Sequence, residues 1–232
     1  MATPPSSGPA RAQEPLPRFT LVLVAIFAEL MLAPCVEAIQ GGLLAIRSIT
    51  VVLLLVALST AGVRRAAVLL FAPVLAGQLV ANRLGSAALF AAATALHAVF
   101  ISFVFGFILK RVARARVVSF DTIAGAACAY LLIAVIWADF YVLLETWRPG
   151  SIGITQNWSV GTNRDLRAAL TYFSFVMITT VGHVFDVSSP AVGTLCVAET
   201  LLAQLYLAVL IARMVGLSTS SAAGPKSESG RS

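Results

Sequence analysis

Residues 165–180 read DLRAALTYFSFVMITT, and Val181 and Gly182 follow. The stretch has a helical pattern with an apolar second half, yet at about 16 residues it is shorter than the roughly 20 that a helix needs to cross a ~30 Å hydrocarbon layer. It is also too apolar to stand in water. Asp165 favours a helix start, because a carboxylate there meets free backbone donors and the positive end of the helix dipole. A short helix that runs into polar, Gly-containing chain is the pattern of a re-entrant loop. Such a loop is tolerated at membrane depth only when protein surrounds it or it lines a water-filled path.

The rest of the chain supplies the membrane setting. Hydrophobic residues make up 59% of the 232 and charged residues only 11%, against roughly a quarter charged in soluble domains. Apolar segments at 19–36, 42–62, 66–80, 86–109, 122–144 and 194–215 are read as six transmembrane helices, giving an all-α integral membrane protein with the re-entrant helix between the last two. The third segment is barely long enough to span; its Pro73 and Gly77 are tolerable in a membrane helix. Trp137, Tyr141 and Trp147 suit an interfacial aromatic belt.

Alternate gaps carry unequal positive charge. Arg11, Arg18, Arg64, Arg65, Lys110, Arg111, Arg114, Arg116, Arg213, Lys226 and Arg231 fall on one side, and Arg47, Arg83, Arg148, Arg164 and Arg167 on the other. Eleven against five makes the first side cytoplasmic, with both termini inside. Residues 1–18 and 217–232, rich in Pro, Ser, Ala or Gly, are expected to be disordered and cytoplasmic. A signal-peptide reading of the first segment, with cleavage near Val36-Glu37-Ala38, is disfavoured by Glu29 within the core and by the long Pro-rich leader.

Several function classes find no support. The net charge of +6 lies in the short gaps between apolar segments, which points to lipid headgroups rather than nucleic acid. Cys35, Cys128 and Cys196 stand singly and read as packing residues, not as a disulfide framework or a zinc site. His97 has no second histidine or carboxylate at ligand spacing. The fourth segment lacks an arginine at every third position, so steep voltage sensing by a charge ladder is not indicated. No nucleotide-binding loop, catalytic triad or cofactor signature is present, and an enzyme is not expected.

Ionisable groups inside apolar segments each need a partner. Glu29 and Arg47 are expected to pair across neighbouring helices. Asp139 and Glu145 are expected near the outer interface, within reach of cations. Glu199 is expected to face the short helix or the chain after it, because a carboxylate facing lipid is expensive.

One six-helix chain offers too little surface to enclose a re-entrant loop, whereas a ring of identical chains places several loops around one axis. Thr179, Thr180, Val181 and Gly182 can then turn backbone carbonyls inward, replacing the water around a monovalent cation, with the partly negative end of the short helix aimed at the ion.

Residues 171–216 resemble the two-helix pore domain of bacterial ion-channel proteins in the potassium channel superfamily. The likeness rests on Tyr172-Phe173-Ser174-Phe175-Val176 leading to Thr179-Thr180-Val181-Gly182, and on the run from Ala198-Glu199 through Gln204-Leu205-Tyr206 to Val215-Gly216. It implies a homotetramer in the lipid bilayer of a bacterial plasma (inner) membrane that passes K+ or another monovalent cation, with no cofactor. The filter would comprise Thr179, Thr180, Val181, Gly182, His183 and Val184, supported by Tyr172, Phe175, Asp186, Glu199 and Gln204. The implied domains are a four-helix bundle over 19–110 and a pore domain over 111–216.

The chain departs from that pattern where Tyr-Gly-Asp is expected after Gly182: it has His183-Val184-Phe185-Asp186. A β-branched residue resists the positive φ that the family's second Gly supplies, which predicts a wider, less selective outer filter. His183 stands where the family's Tyr braces the filter. Asp186 corresponds to the closing Asp displaced by one residue, and Ala203 replaces a Gly at which the inner helix often bends. Two alternatives stay open. One is a secondary transporter with Glu29, His97 and Asp139 as a proton relay, although no internal repeat accompanies it. The other is a non-conducting scaffold, if Val184 blocks the path.

Overall fold

The computed structural model describes residues 18–36, 73–74, 76–77, 80–81, 84–115, 118–154, 161–182, 186–187 and 189–222. The expected second segment, most of the third, the Glu29 and Arg47 side chains, His183, Val184, Phe185, and the tail beyond Ala222 lie outside the described residues, as does the leader before Arg18.

The described elements are α1 (Arg18–Val36), α2 (Ala87–Arg114), α3 (Phe120–Trp147), α4 (Asn163–Ile178) and α5 (Pro190–Ala222), with two two-residue strands, β1 (Ile152–Gly153) and β2 (Asp186–Val187). Ala87–Arg114, Phe120–Trp147 and Pro190–Leu217 are each 28 residues long and contain 18-residue stretches of mean hydropathy 2.1, 2.1 and 2.0. At 1.5 Å per residue, each reaches about 42 Å, more than the hydrocarbon thickness. The chain is an integral membrane protein, mostly helical, and among the described residues three helices are long and apolar enough to span.

Helix α3 is the centre of the packing, and its sequence explains why. Gly125, Ala126, Ala129, Ala134 and Ala138 give it small faces that let neighbours approach closely, which is how helices associate where no hydrophobic drive exists. A Cβ at Gly125 would meet the Phe19 ring and Val112 at 3.2 Å. Phe19, Val22 and Ile26 of α1 and Phe100, Ile101, Val104 and Ile108 of α2 fill the core on that side of α3. At its other end Tyr141 and Val142 join Leu170, Phe173 and Met177 of α4, and Val192 and Cys196 of α5.

Polar side chains close the helix ends. Asp121 accepts from the free amides of Phe19 at 2.8 Å and Thr20 at 3.3 Å, so the first turn of α1 is capped by α3. Arg213 donates to the carbonyls of Val112 at 2.5 Å, Ala113 at 2.6 Å and Ala115 at 2.9 Å, joining α5 to the C-terminus of α2, where a cation suits the dipole. Ser189 Oγ accepts from Val192 N and Pro190 occupies the first helical position, where its missing N–H costs nothing.

Helix α5 starts before the expected Thr194 and continues through Ala222, into the stretch expected to be a disordered tail. Asp139 and Glu145, expected at the interface, are 1% and 9% exposed. Glu145 is drawn in because its carboxylate accepts from the amides of Gly150 and Ile152, folding the turn after α3 back on the helix. That turn sets β1 antiparallel to β2, pairing Ile152 with Val187 and Gly153 with Asp186.

Candidate functional site

The short helix α4 begins two residues before Asp165, at Asn163. Thr162 is its N-cap: its hydroxyl accepts from Asp165 N, while the Asp165 carboxylate accepts from Thr162 N at 2.8 Å. This reciprocal box satisfies the free donors of the first turn and puts Asp165 inside the first turn rather than at the cap.

The N-terminal half of α4 is held by a buried ionic cluster. Arg167 Nη1 donates to Asp139 Oδ1 at 2.7 Å, Nη2 donates to Thr94 Oγ1 at 2.7 Å, and His97 Nδ1 lies 2.6 Å from Asp139 Oδ2. The guanidinium also sits over the Phe90 ring at 5.6 Å. Three helices thus meet at one carboxylate. Sequence reasoning missed this cluster; its signal was three charged or titratable side chains in apolar stretches, each of which must find a partner.

Ser174, in the C-terminal half of α4, is fully buried and lies at the carbonyl of Ala134 in α3 and the carboxyl of Glu199 in α5. Tyr141 donates to the same carboxyl at 2.7 Å and packs edge-on against Phe173, ring centroids 5.2 Å apart. The expectation that Glu199 faces the short helix matches this position.

The C-terminus of α4 is fixed with unusual completeness. A helix leaves its last four carbonyls without internal partners, and here each is taken. Thr179 N and Oγ1 donate to Phe175 O, and Val181 N to Val176 O at 3.2 Å. Thr180 N donates to Met177 O at 3.1 Å, joined by Thr200 Oγ1 at 3.4 Å. Tyr130 Oη donates to Ile178 O at 2.7 Å, with Gln204 Nε2 at 3.5 Å. The bonds from Thr180 and Val181 form a Schellman cap, whose left-handed position normally belongs to Gly. Thr180 holds it instead, at φ +58°. A β-branched residue there is a genuine outlier.

Beyond the cap the pattern reverses. Thr179, Thr180, Val181 and Gly182 are exposed, Val181 at 74%, and among the described residues nothing donates to their four carbonyls. Gly182 has φ +118°, so positive φ recurs two residues after Thr180.

Of the supporting residues, Glu199 and Gln204 reach α4 as just given. Phe175 packs on the small cluster of Ala134, Ile178 and Ala203 with Tyr130. Tyr172 is 45% exposed. The backbone of Asp186 pairs with Gly153. His183 and Val184 lie outside the described residues. Among the described residues no three His, Cys, Asp or Glu side chains group as metal ligands.

No family model, no curated protein and no solved structure matches this chain. The functional reading therefore stands on the geometry of α4 and the chain that leaves it.

Proposed function

We propose that the chain is one subunit of a potassium-channel-like, homotetrameric pore that passes monovalent cations down their gradient. In this reading the subunit crosses a bacterial plasma membrane six times, with both termini cytoplasmic and α4 re-entrant. The observation that carries it is the sequence of four exposed main-chain carbonyls, from Thr179 to Gly182, that accept no hydrogen bond from a described residue. They follow a helix whose own last four carbonyls are all engaged. Unpaired carbonyls between apolar helices need a polar guest, and a dehydrated cation supplies one.

The length of α4 supports the same reading. Its 16 residues cover about 24 Å, short of a ~30 Å hydrocarbon layer. Positive φ at Thr180 and Gly182, with Val181 between them at negative φ, alternates the backbone hand in a way a regular strand does not. A residue with a Cβ in a strained backbone conformation points to a working site. With His183-Val184 after Gly182, discrimination between K+ and Na+ is reduced.

The proton-relay reading gains one observation, the approach of His97 to Asp139 at 2.6 Å. Arg167 argues against it, because a guanidinium that is always charged holds the same carboxylate at 2.7 Å. The scaffold reading has no observation of its own.

Reconstitution into vesicles with opposed K+ and Na+ gradients tests the proposal. Cation flux above protein-free vesicles is expected, with a K+ preference weaker than a fully selective filter gives. Background flux from verified tetramers in the bilayer would overturn it.

A further inference from the structure

Helices α2 and α5 both lie against α3, and Arg213 ties them to each other at one end through the carbonyls of Val112, Ala113 and Ala115. Away from that end an open groove of about 550 Å3 separates them. Phe105 and Leu109 of α2, Ile133 and Trp137 of α3, and Leu205 and Val209 of α5 line it. Tyr206 also borders it, but its hydroxyl is spent on the carbonyl of Ala126 at 2.8 Å. Leu202, Leu205 and Val209 are each more than half exposed, so this apolar groove opens sideways from the bundle.

Length and charge identify what fits. From Leu202 to Arg213, both in its lining, the groove follows α5 for about 16 Å. That is half of a ~30 Å hydrocarbon layer, the depth of one leaflet. The end near the helix termini is cationic. Arg213 spends three of its N–H donors on the α2 carbonyls, and a guanidinium has two more to offer a phosphate. Lys110 and Arg114, exposed at the same end of α2, add two charges, and no described carboxylate pairs with any of the three. Asp121, at the start of α3, is taken by the amides of Phe19 and Thr20.

We propose that the groove is a binding site for an anionic phospholipid, with one acyl chain between α2 and α5 and the phosphate accepting from Arg213. A zwitterionic lipid offers the same chain but brings its own cation to a cationic rim. Each Lys or Arg near the headgroups favours the anionic lipid about fivefold. The bound chain fills the gap between α2 and α5 and fixes α5 against the bundle. The site stands whether or not the protein conducts ions.

Trp137 can report the occupant. In the full chain carrying Trp147→Phe and Trp158→Phe it is the sole tryptophan of the original three. This protein is placed in phosphatidylcholine vesicles holding rising fractions of phosphatidylglycerol brominated on its acyl chains, and in a parallel series with brominated phosphatidylcholine. Half-quenching by phosphatidylglycerol is expected at a mole fraction at least about fivefold lower. Arg213→Gln should remove most of that preference. Val209→Phe, which leaves the bonds of Arg213 in place but narrows the groove, should weaken quenching by phosphatidylglycerol. Equal quenching by the two lipids, a preference unchanged in R213Q, or quenching unchanged in V209F would overturn the proposal. So would the absence of quenching, which would mean that a second copy or another segment of this chain fills the groove. The lipid comparison and V209F decide the matter even if R213Q does not fold.

Discussion

Arg167 of α4 and Asp139 of α3 meet at 2.7 Å with side chains only 9% and 2% exposed. Taking two charges out of water costs several kcal/mol each, and the attraction repays this only when the remaining donors and lone pairs are also used. Further partners are present here: Thr94 takes the second guanidinium nitrogen and His97 the second carboxylate oxygen. The pair sets the position of the short helix against α2 and α3.

The first prediction follows from that asymmetry. Arg167→Met alone should cost about 3–5 kcal/mol, because it leaves Asp139 buried with only His97. The double variant R167M/D139L should recover most of the loss, as well-packed apolar replacements of buried pairs do. Denaturant unfolding of the purified protein across the four-variant cycle checks this. A single-variant cost under about 1 kcal/mol would mean the pair is solvated and not a buried anchor.

The second prediction concerns the cap. Thr180 holds a left-handed conformation that costs a residue with a Cβ about 1–2 kcal/mol, and among the described residues none bonds its hydroxyl to offset this. Thr180→Gly should therefore raise stability by up to about 1 kcal/mol, the rest being lost to the freer unfolded chain. Gly182→Ala should lower it, because φ +118° resists a Cβ even though no atom lies within 4 Å. If T180G destabilises, the Thr side chain is held by contacts that outweigh its backbone strain.

A third prediction ranks the two side chains on Ile178 O. Tyr130 donates at 2.7 Å, Gln204 at the geometric limit of 3.5 Å. Tyr130→Phe should cost about 1–3 kcal/mol by stripping a carbonyl of its main partner, and Gln204→Leu distinctly less. Equal costs would show that both donors share the carbonyl evenly. In flux assays Y130F should also disturb conduction more than Q204L.

The amount legible in the sequence differs between local and distant features. The spans at α2, α3 and α5 followed from unbroken apolar length, which depends on no partner. The helical nature and short length of α4 were also local, although its start moved from Asp165 to a cap at Thr162 because a box is set by two residues together. The burial of Asp139 was not legible: its partners lie 42 and 28 positions away, and only the fold brings them to one point. Glu145 misled for a different reason. A carboxylate at a helix end suggests solvent, but here the chain turns back and presents two amides to it.

The last prediction addresses selectivity, through positions 183 and 184. In the pore reading, Gly182 is followed by His183 and Val184, and Val184 occupies the place where a filter of four rings of carbonyls needs a residue free to take positive φ. A β-branched side chain there either forces the backbone open or leaves the outer ring of carbonyls turned aside. Val184→Gly restores that freedom, and His183→Tyr supplies the phenolic brace that the resemblance places beside it. The double variant H183Y/V184G should raise the K+ over Na+ flux ratio on the order of tenfold, or about 1.4 kcal/mol of discrimination, with H183Y alone giving little because the backbone restriction remains. The measurement is paired K+ and Na+ efflux from vesicles holding matched amounts of tetramer. A ratio unchanged by V184G and by the double variant, with flux still above background, would place the discriminating step away from this loop and remove the carbonyls of Thr179 to Gly182 from the permeation path.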